Sequence, residues 1–521
     1  MSDHVVGVDL GTSTVKAAVY TVDGTLLGTA SEPVALLRRP DGGVEQDLEG
    51  FFTTTAAAVR RCVARTGVDP GSIVGLAVAG QMAGMGLVDA AHRPVTPYDS
   101  WLDTRCAGVV ADLAARARER IARTSGCAPT ISIGPKLLWW QRHEPDRCAR
   151  AVAMVTASSY VTGRAVGLRG DEAFLDATHL HFTGLADLAA GGWDAGLVAL
   201  CGADPRLLPR VLASTEVVGR LTAEAAEAFG LPVGVAVSAG CGDTAAGALG
   251  AGVTEPGQAF DTAGTAAVLG GCVDTFVPDV GGTLMSMRSP LSGRYYALGY
   301  VAGAGQVVEW LGTTFGAAGP TGRADLGAVL ALAADARPGA DGVLVSPHFS
   351  GRVSPVAAAM RGSLLGVTPA TTPATLVRAA LESVAFEYAG YLDVLAARAP
   401  GAPVAGVVGT GGGSRSAVWN QIKADVLEVP YTAAGEVDAG TRGAASLAAV
   451  SAGREPWDAP ADQSRTWSPD ADAARTLRPA RARYRRWTAA LSDLYAADAA
   501  DAAGPRADRT DPSPTSTSGE R

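Results

Sequence analysis

Val5-Val6-Gly7-Val8-Asp9-Leu10-Gly11-Thr12-Ser13-Thr14-Val15-Lys16 is an apolar strand that halts at an Asp, turns through small residues and resumes as a second apolar strand. A paler copy, Phe260-Asp261-Thr262-Ala263-Gly264-Thr265-Ala266-Ala267-Val268, returns near the middle of the chain. Turns of this kind leave backbone N–H groups facing an anion. Two phosphate-holding hairpins in two halves of one chain imply a nucleotide clamped between paired domains, with Asp9 placed for its metal ion. That reading points to phosphoryl transfer rather than to binding alone.

The 521 residues, 47% of them hydrophobic, suffice for a large core divided among two or more domains. No run of about 18 uncharged apolar residues occurs, and Asp3 and Asp9 stand where a secretory signal would be apolar, so a cytoplasmic protein outside the membrane is expected. The net charge of −9 argues against nucleic acid as a partner and for a small metabolite. The seven cysteines form no C-x-x-C pair, which indicates neither a zinc site nor a disulfide framework. They read as small apolar core residues, Cys241 beside the motif below included.

Only Lys16, Lys136 and Lys423 are lysines among 43 basic residues, and each lies in or beside a motif. Where a chain otherwise uses Arg, a Lys marks a place for a compact ammonium. Lys16 is the clearest case, either on phosphate or paired with a nearby carboxylate. None of the three follows Gly, which removes the Walker P-loop.

From Val5 to about Leu27, with a turn at Asp23-Gly24, the pattern is a β-meander. Helical stretches at 48–65 and 107–122 flank a strand at 73–78. A buried strand at 233–239 runs into Gly240-Cys241-Gly242-Asp243-Thr244-Ala245-Ala246-Gly247. The second half repeats the order: a hairpin at 259–273, a strand at 295–300, helices near 305–316 and 376–398, a strand at 404–408, the loop Gly409-Thr410-Gly411-Gly412-Gly413-Ser414, and a helix from Ser416. An α/β fold of two duplicated halves around a cleft is expected. The expected units are 1–247, 248–485 and a C-terminal extension, 486–521. Its segment beyond about 499, with Pro505, Pro512 and Pro514 among Ser, Thr and Asp, is too poor in apolar residues to fold.

Asp243, just past a buried strand in a Gly-rich helix entrance, is the candidate base for a hydroxyl proton; capping the helix at Thr244 is the alternative. The 409–414 loop lacks the last Gly of G-x-G-x-x-G, yet its N–H groups and missing side chains suit a nucleotide close to backbone. A plain strand-to-helix turn is its alternative. Gly80-Gln81-Met82-Ala83-Gly84 and Trp101-Leu102-Asp103-Thr104-Arg105 supply the amide, charges and aromatic wall that hold a polyol, against a local Asp103–Arg105 pair and a core Trp101. His179 and His181 alternate as if on one face of a strand. With no third ligand they suit a structural or substrate-rim role rather than a metal.

This ordered set resembles the FGGY carbohydrate kinases of the actin/Hsp70/sugar-kinase superfamily over roughly residues 5–450. Further matching pieces are Pro135-Lys136-Leu137-Leu138-Trp139, Gly362-Ser363-Leu364-Leu365-Gly366-Val367 and Trp419-Asn420-Gln421-Ile422-Lys423-Ala424-Asp425. The resemblance implies two actin/RNase H-like α/β domains flanking a nucleotide cleft, with sugar on the first and ATP on the second. It implies ATP and Mg2+ as cofactors, Asp243 as base, and Asp9 together with Asp243 near the metal. Gly11, Thr12, Ser13, Lys16, Gly264, Thr265, Gly411, Gly412, Gly413, Ser414 and Asn420 are then expected on the nucleotide. Gln81, Met82, Ala83, Trp101, Asp103 and Arg105 are expected on the sugar. A homodimer is compatible with it.

Within the family the chain is most similar to xylulokinases, from 80–82, 135–139 and Gln141-Arg142-His143-Glu144-Pro145, but it departs twice. Ala83 stands where xylulokinases carry a sugar-touching His, and Ser350-Gly351-Arg352-Val353-Ser354-Pro355 replaces Ser-Gly-Glu-Arg-x-Pro. A lost donor in a polar pocket shifts substrate choice strongly. D-xylulose is the first expectation, with L-ribulose, L-xylulose, erythritol and glycerol as alternatives. A sugar sensor or an actin/Hsp70-like ATPase would call for a DNA-binding or peptide-binding segment, and neither is read here.

Overall fold

The computed structural model describes residues 3–264, 266–315, 324–435, 438–460 and 464–503. Strands β1 (His4–Leu10), β2 (Thr14–Thr21) and β3 (Leu26–Pro33) form the antiparallel meander read from the sequence. After helix α1 (Leu48–Thr66), β4 (Ile73–Gly80) joins β1 in parallel and β5 (Ala236–Ser238) joins β4. The order is Val217–Arg220, β5, β4, β1, β2, β3. Helix α2 (Asp243–Gly250) then leads into the second half.

There β6 (Gln258–Ala263), β7 (Ala267–Val273) and β8 (Tyr295–Val301) form a second meander. Helix α3 (Pro373–Arg398) precedes β9 (Gly406–Thr410), parallel to β6, and helix α4 (Ala417–Leu427) precedes β10 (Tyr431–Ala433), parallel to β9. Strand for strand, β6–β10 repeat β1–β5. Strand β5 is shorter than the 233–239 read from the sequence, because Gly234 takes a φ of 88° and turns the chain before it.

Both faces of each sheet are covered, which is why β1 is an unbroken apolar run rather than an alternating one. Val6, Val8 and Leu10 pack under Phe51, Phe52 and Val59 of α1. Val5 faces the other way, into a core shared with α2, Phe260, Tyr296 and helix α5 (Ala439–Ser451). In the second half α3 covers the outer face, Leu381, Val384 and Tyr388 packing on Ala259 and Leu269.

Helix α5 follows β10 in the chain but lies on the sheet of the first half. Its close approach is made by glycine: a Cβ on Gly7 would fall 2.0 Å from the Thr441 carbonyl oxygen. Where α5 crosses α2, a Cβ on Gly443 would sit 1.9 Å from Ala246 O, and one on Gly250 1.9 Å from Ala439 O. The two helices meet backbone to backbone between the halves. A side chain there forces the crossing apart, so Gly443→Ala is expected to destabilise by about 1–3 kcal/mol or more, read as a lowered thermal unfolding midpoint.

Two further expectations change. His179 and His181 lie in a 3-10 turn, Ala177–Phe182, not a strand, because the Asp176 carboxylate accepts the Thr178 N–H and winds the chain. Helix α6 (Ala471–Ala503) runs through both the expected 485/486 boundary and residue 499; the expected tail beyond 503 lies outside the described residues. All seven cysteines are free and buried. No described helix is long and apolar enough to cross a membrane.

Candidate active site

Asp9 and Lys16 of the first hairpin and Thr262 and Val268 of the second line one cleft of about 480 Å3 between the halves, whereas the expected turn residues Gly11, Thr12, Ser13 and Gly264 are not among its lining. Asp9, Lys16, Asp243 and Thr244 form its first wall, Thr262, Thr410, Gly411, Gly412 and Arg415 the second, and Asp438 and Gly440 at the start of α5 its floor. Asp9, one residue before the end of β1, has Oδ1 enclosed and without a hydrogen-bond partner. Burial, and after it the Asp438 and Asp243 carboxylates, push Asp9 up to about 7, against the opposing pull of Lys16. Lys16 Nζ donates to Asp438 Oδ2 at 2.6 Å, and Asp438 caps α5 by accepting the Thr441 N–H at 3.0 Å.

Asp243 is the first residue of α2. Its Oδ1 accepts from the Thr244 N–H at 2.6 Å and the Thr244 hydroxyl at 3.2 Å; the helix is capped by Gly242 without a side-chain bond, so Asp243 does not fill the capping role weighed from the sequence. Part of the residue stays open to the cleft. Burial raises its pKa, opposed by the Thr244 hydrogen bonds and by His179.

Strand register separates the two Asp-ended hairpins. In the first, Leu10 pairs with Val15 next to the turn and Asp9 with Lys16; in the second, Ala263 pairs with Ala267 and Thr262 with Val268. Thr262 is therefore the counterpart of Asp9 and Val268 that of Lys16, and all four line the cleft. Asp261 is one residue out of step, which turns it to the opposite face. There it is fully buried and ion-paired with Lys423, and it accepts from the Tyr388 hydroxyl at 2.6 Å and the Tyr431 hydroxyl at 2.7 Å. The symmetry suggested by the two Asp residues ends at the sequence: only Asp9 reaches the cleft, and Lys423 is a core residue with its ammonium 4.3 Å above the Trp419 ring.

The Gly11 N–H closes its turn on Thr14 O at 3.1 Å, as Gly264 does on Ala266 O at 2.8 Å, whereas among the described residues the N–H groups of Thr12 and Ser13 have no backbone acceptor. Thr265 lies outside the described residues. Gly411, at a φ of 79°, and Gly412 face the cleft. Gly413, Ser414 and Asn420 do not; they build the loop from behind. A Cβ on Gly413 would strike the Trp419 ring at 2.7 Å. Ser414 Oγ donates to Gly411 O at 2.8 Å, and Asn420 Nδ2 to Ser414 O at 2.7 Å.

On the first half, Gln81 Nε2 donates to Gln46 Oε1 at 2.8 Å, and Gln46 Nε2 to Thr12 O at 2.9 Å, linking the end of β4 to the first turn. Trp101 is not a core residue: it is 44% exposed, and its Nε1 donates to Thr12 Oγ1 at 2.9 Å. Met82 lies against Gly242, where a Cβ would meet its Sδ at 2.5 Å. Ala83 holds a left-handed φ of 62° and its carbonyl accepts from Lys136 Nζ at 2.9 Å.

Asp103 and Arg105 are turned inward. Arg105 ion-pairs with Asp103 at 2.7 Å, Asp99 at 2.9 Å and Glu45 at 3.0 Å, and stacks 4.7 Å from the Trp139 ring. With 8% of the Arg105 side chain and 1% of the Asp103 side chain exposed, they support the loop that carries Trp101 rather than form a ligand wall.

His179, wholly buried, bonds Asp176 Oδ2 through Nδ1 at 2.6 Å, while Nε2 has no partner. Burial alone would lower its pKa; the Asp176 carboxylate, joined by Asp243 and the Gln81 backbone, reverses that and raises it. Thr178 Oγ1 of the same turn accepts from the Gly242 N–H at 2.9 Å, pinning the turn to the residue before Asp243.

Family models for the N-terminal and C-terminal domains of the FGGY family of carbohydrate kinases match residues 4–250 and 262–452. The chain belongs to this family. Relatives of this FGGY kinase include a xylulose kinase from Escherichia coli (strain K12), 30% identical over 500 residues, spanning 94% of this chain and 100% of that protein. A glycerol kinase from Xanthobacter autotrophicus is 31% identical over 474 residues, spanning 87% of this chain and 91% of that protein. A crystal structure described as a xyloylose kinase from Brucella ovis superposes with a TM-score of 0.86 at 28% identity, over 94% of this chain and 100% of that one. The two-domain sugar-kinase fold expected from the sequence is the fold found.

The sequence reading of this FGGY kinase missed Thr262, Thr410, Arg415, Asp438 and Gly440. The pattern Asp438-Ala439-Gly440-Thr441 is a legible helix start. What local pattern withheld was that this start lies beside Lys16, 422 residues away.

Proposed function

We propose that this FGGY kinase transfers the γ-phosphoryl group of MgATP to a terminal hydroxyl of a ketopentose, with D-xylulose the first candidate. The supporting observation is that Asp9 and Asp243 stand on one wall of a single cleft whose other wall is the Gly411–Gly412 loop. In this reading the amides of Thr12 and Ser13 and the Gly411–Gly412 backbone receive the nucleotide, and Trp101 and Gln81 border the acceptor. Asp243 takes the hydroxyl proton; the burial that raises its pKa strengthens it as a base.

The donors suit a hard cation. Asp9 keeps an enclosed oxygen without a partner, while among the described residues no three His, Cys, Asp or Glu side chains converge into a ready-made cage. Mg2+ characteristically binds through one or two carboxylates plus nucleotide phosphates, and Asp9 with Asp243 would supply them. When bound, Mg2+ offsets charge on the phosphates. The chain itself contributes alignment, exclusion of water between the halves, and the base.

Measuring ADP release from purified protein against D-xylulose, L-ribulose, L-xylulose, erythritol and glycerol tests the reading. The highest kcat/KM is expected on D-xylulose. A glycerol kinase at 31% identity makes glycerol the runner-up, and a preference for it would replace the ketopentose. ATP hydrolysis equally fast without any acceptor would overturn sugar phosphorylation itself.

A further inference from the structure

Among the described residues, the charges around the cleft leave one cation, Arg415, without a partner. Among the described residues its lining carries three carboxylates, Asp9, Asp243 and Asp438, and two cations, Lys16 and Arg415. The charge of Lys16 is already matched, since its ammonium is bonded to Asp438 at 2.6 Å. The two remaining lysines are committed elsewhere, Lys136 to the Ala83 carbonyl and Lys423 to Asp261. Arg415 is exposed in the cleft, and among the described residues its guanidinium makes no ion pair, side-chain hydrogen bond or ring contact.

The backbone beneath that side chain is well fixed. Arg415 closes the 3-10 turn Gly412–Arg415, and the next residue, Ser416, caps α4 by accepting the Trp419 N–H at 3.3 Å. Ser414 and Asn420 hold the turn from inside. A free guanidinium on a fixed base beside a glycine loop is arranged for a ligand rather than for the fold. Among the described lining residues Asp9 and Asp243 have no cation of their own, and Arg415 is the group placed to offset their repulsion of a polyphosphate. A guanidinium also matches two phosphate oxygens at once, which an ammonium does not.

The geometry points to Arg415 as a phosphate clamp, reaching from the second wall to the polyphosphate of the bound nucleotide opposite Asp9 and Lys16. This rests on the nucleotide-cleft reading above. It assigns ligand binding to a side chain in addition to the glycine backbone and the two candidate metal carboxylates.

Calorimetric titration of the full chain with MgADP and with adenosine tests it, for the unsubstituted protein, Arg415→Met and Arg415→Lys, with acceptor KM measured alongside. Arg415→Met is expected to weaken MgADP by ~10- to 100-fold, the range of a lost charge-assisted hydrogen bond. Adenosine affinity and acceptor KM are expected to stay within about twofold, and Arg415→Lys to fall between, since a point charge keeps part of the attraction. MgADP binding unchanged in Arg415→Met overturns the clamp, and so does an equal loss for MgADP and adenosine, which would place Arg415 on the nucleoside. If the unsubstituted protein binds neither MgADP nor MgATP, the nucleotide cleft itself is wrong. The side chain is exposed, so unchanged melting curves are expected for both variants.

Discussion

Asp243→Asn is expected to lower kcat by ~10^2- to 10^4-fold, the span associated with losing a positioned general base, with KM for either substrate moved far less. The amide can still accept the Thr244 N–H through its oxygen, so the start of α2 keeps the bond that Asp243 Oδ1 makes at 2.6 Å. It cannot take up a proton. The substitution also removes a charge from a buried group that the Asp9 carboxylate feels as repulsion, so the thermal midpoint is expected to hold or rise. Loss of turnover in a protein at least as stable as the parent separates a chemical role from a structural one. Near-normal ADP release from a folded Asp243→Asn protein would remove Asp243 from the chemistry.

Lys423→Met is expected to have the largest effect on stability, about 3–5 kcal/mol, the cost of leaving one member of a buried ion pair without its partner. Asp261 and Lys423 are both fully enclosed, and the carboxylate would keep only the Tyr388 and Tyr431 hydroxyls. Replacing both members, Lys423→Met with Asp261→Asn, removes the stranded charge and is expected to recover much of the loss, because the pair's net worth is smaller than the cost of halving it. Urea unfolding midpoints of the two variants check this. A single substitution as stable as the parent would mean that the network tolerates an unpaired carboxylate, contrary to its burial.

The sequence disclosed most where a pattern is local. Both meanders, the strand-to-helix entries at Asp243 and Ser416, and the duplicated order depend on strand period, glycine turns and caps a few residues apart, and all reappear in the fold. What it withheld were facts of register and long-range approach. Asp9 and Asp261 look alike in sequence, yet one residue of offset sends the second into the core. Asp103 and Arg105 have the composition of a ligand wall, but Glu45, from a distant strand, helps draw them inward. Trp101 is exposed because its indole N–H reaches back to Thr12, a contact that spacing alone does not encode. His179 left the expected strand because Asp176 was free to wind the chain.

The crossing of α2 and α5 fixes which groups move together when the angle between the halves changes. Asp438 heads a helix seated by Gly7 on the first sheet, so it travels with Asp9, Lys16 and Asp243 as one block, while Gly411, Gly412 and Arg415 ride on the other. A change in the angle between the halves would therefore leave Asp9, Lys16, Asp438 and Asp243 in place relative to one another.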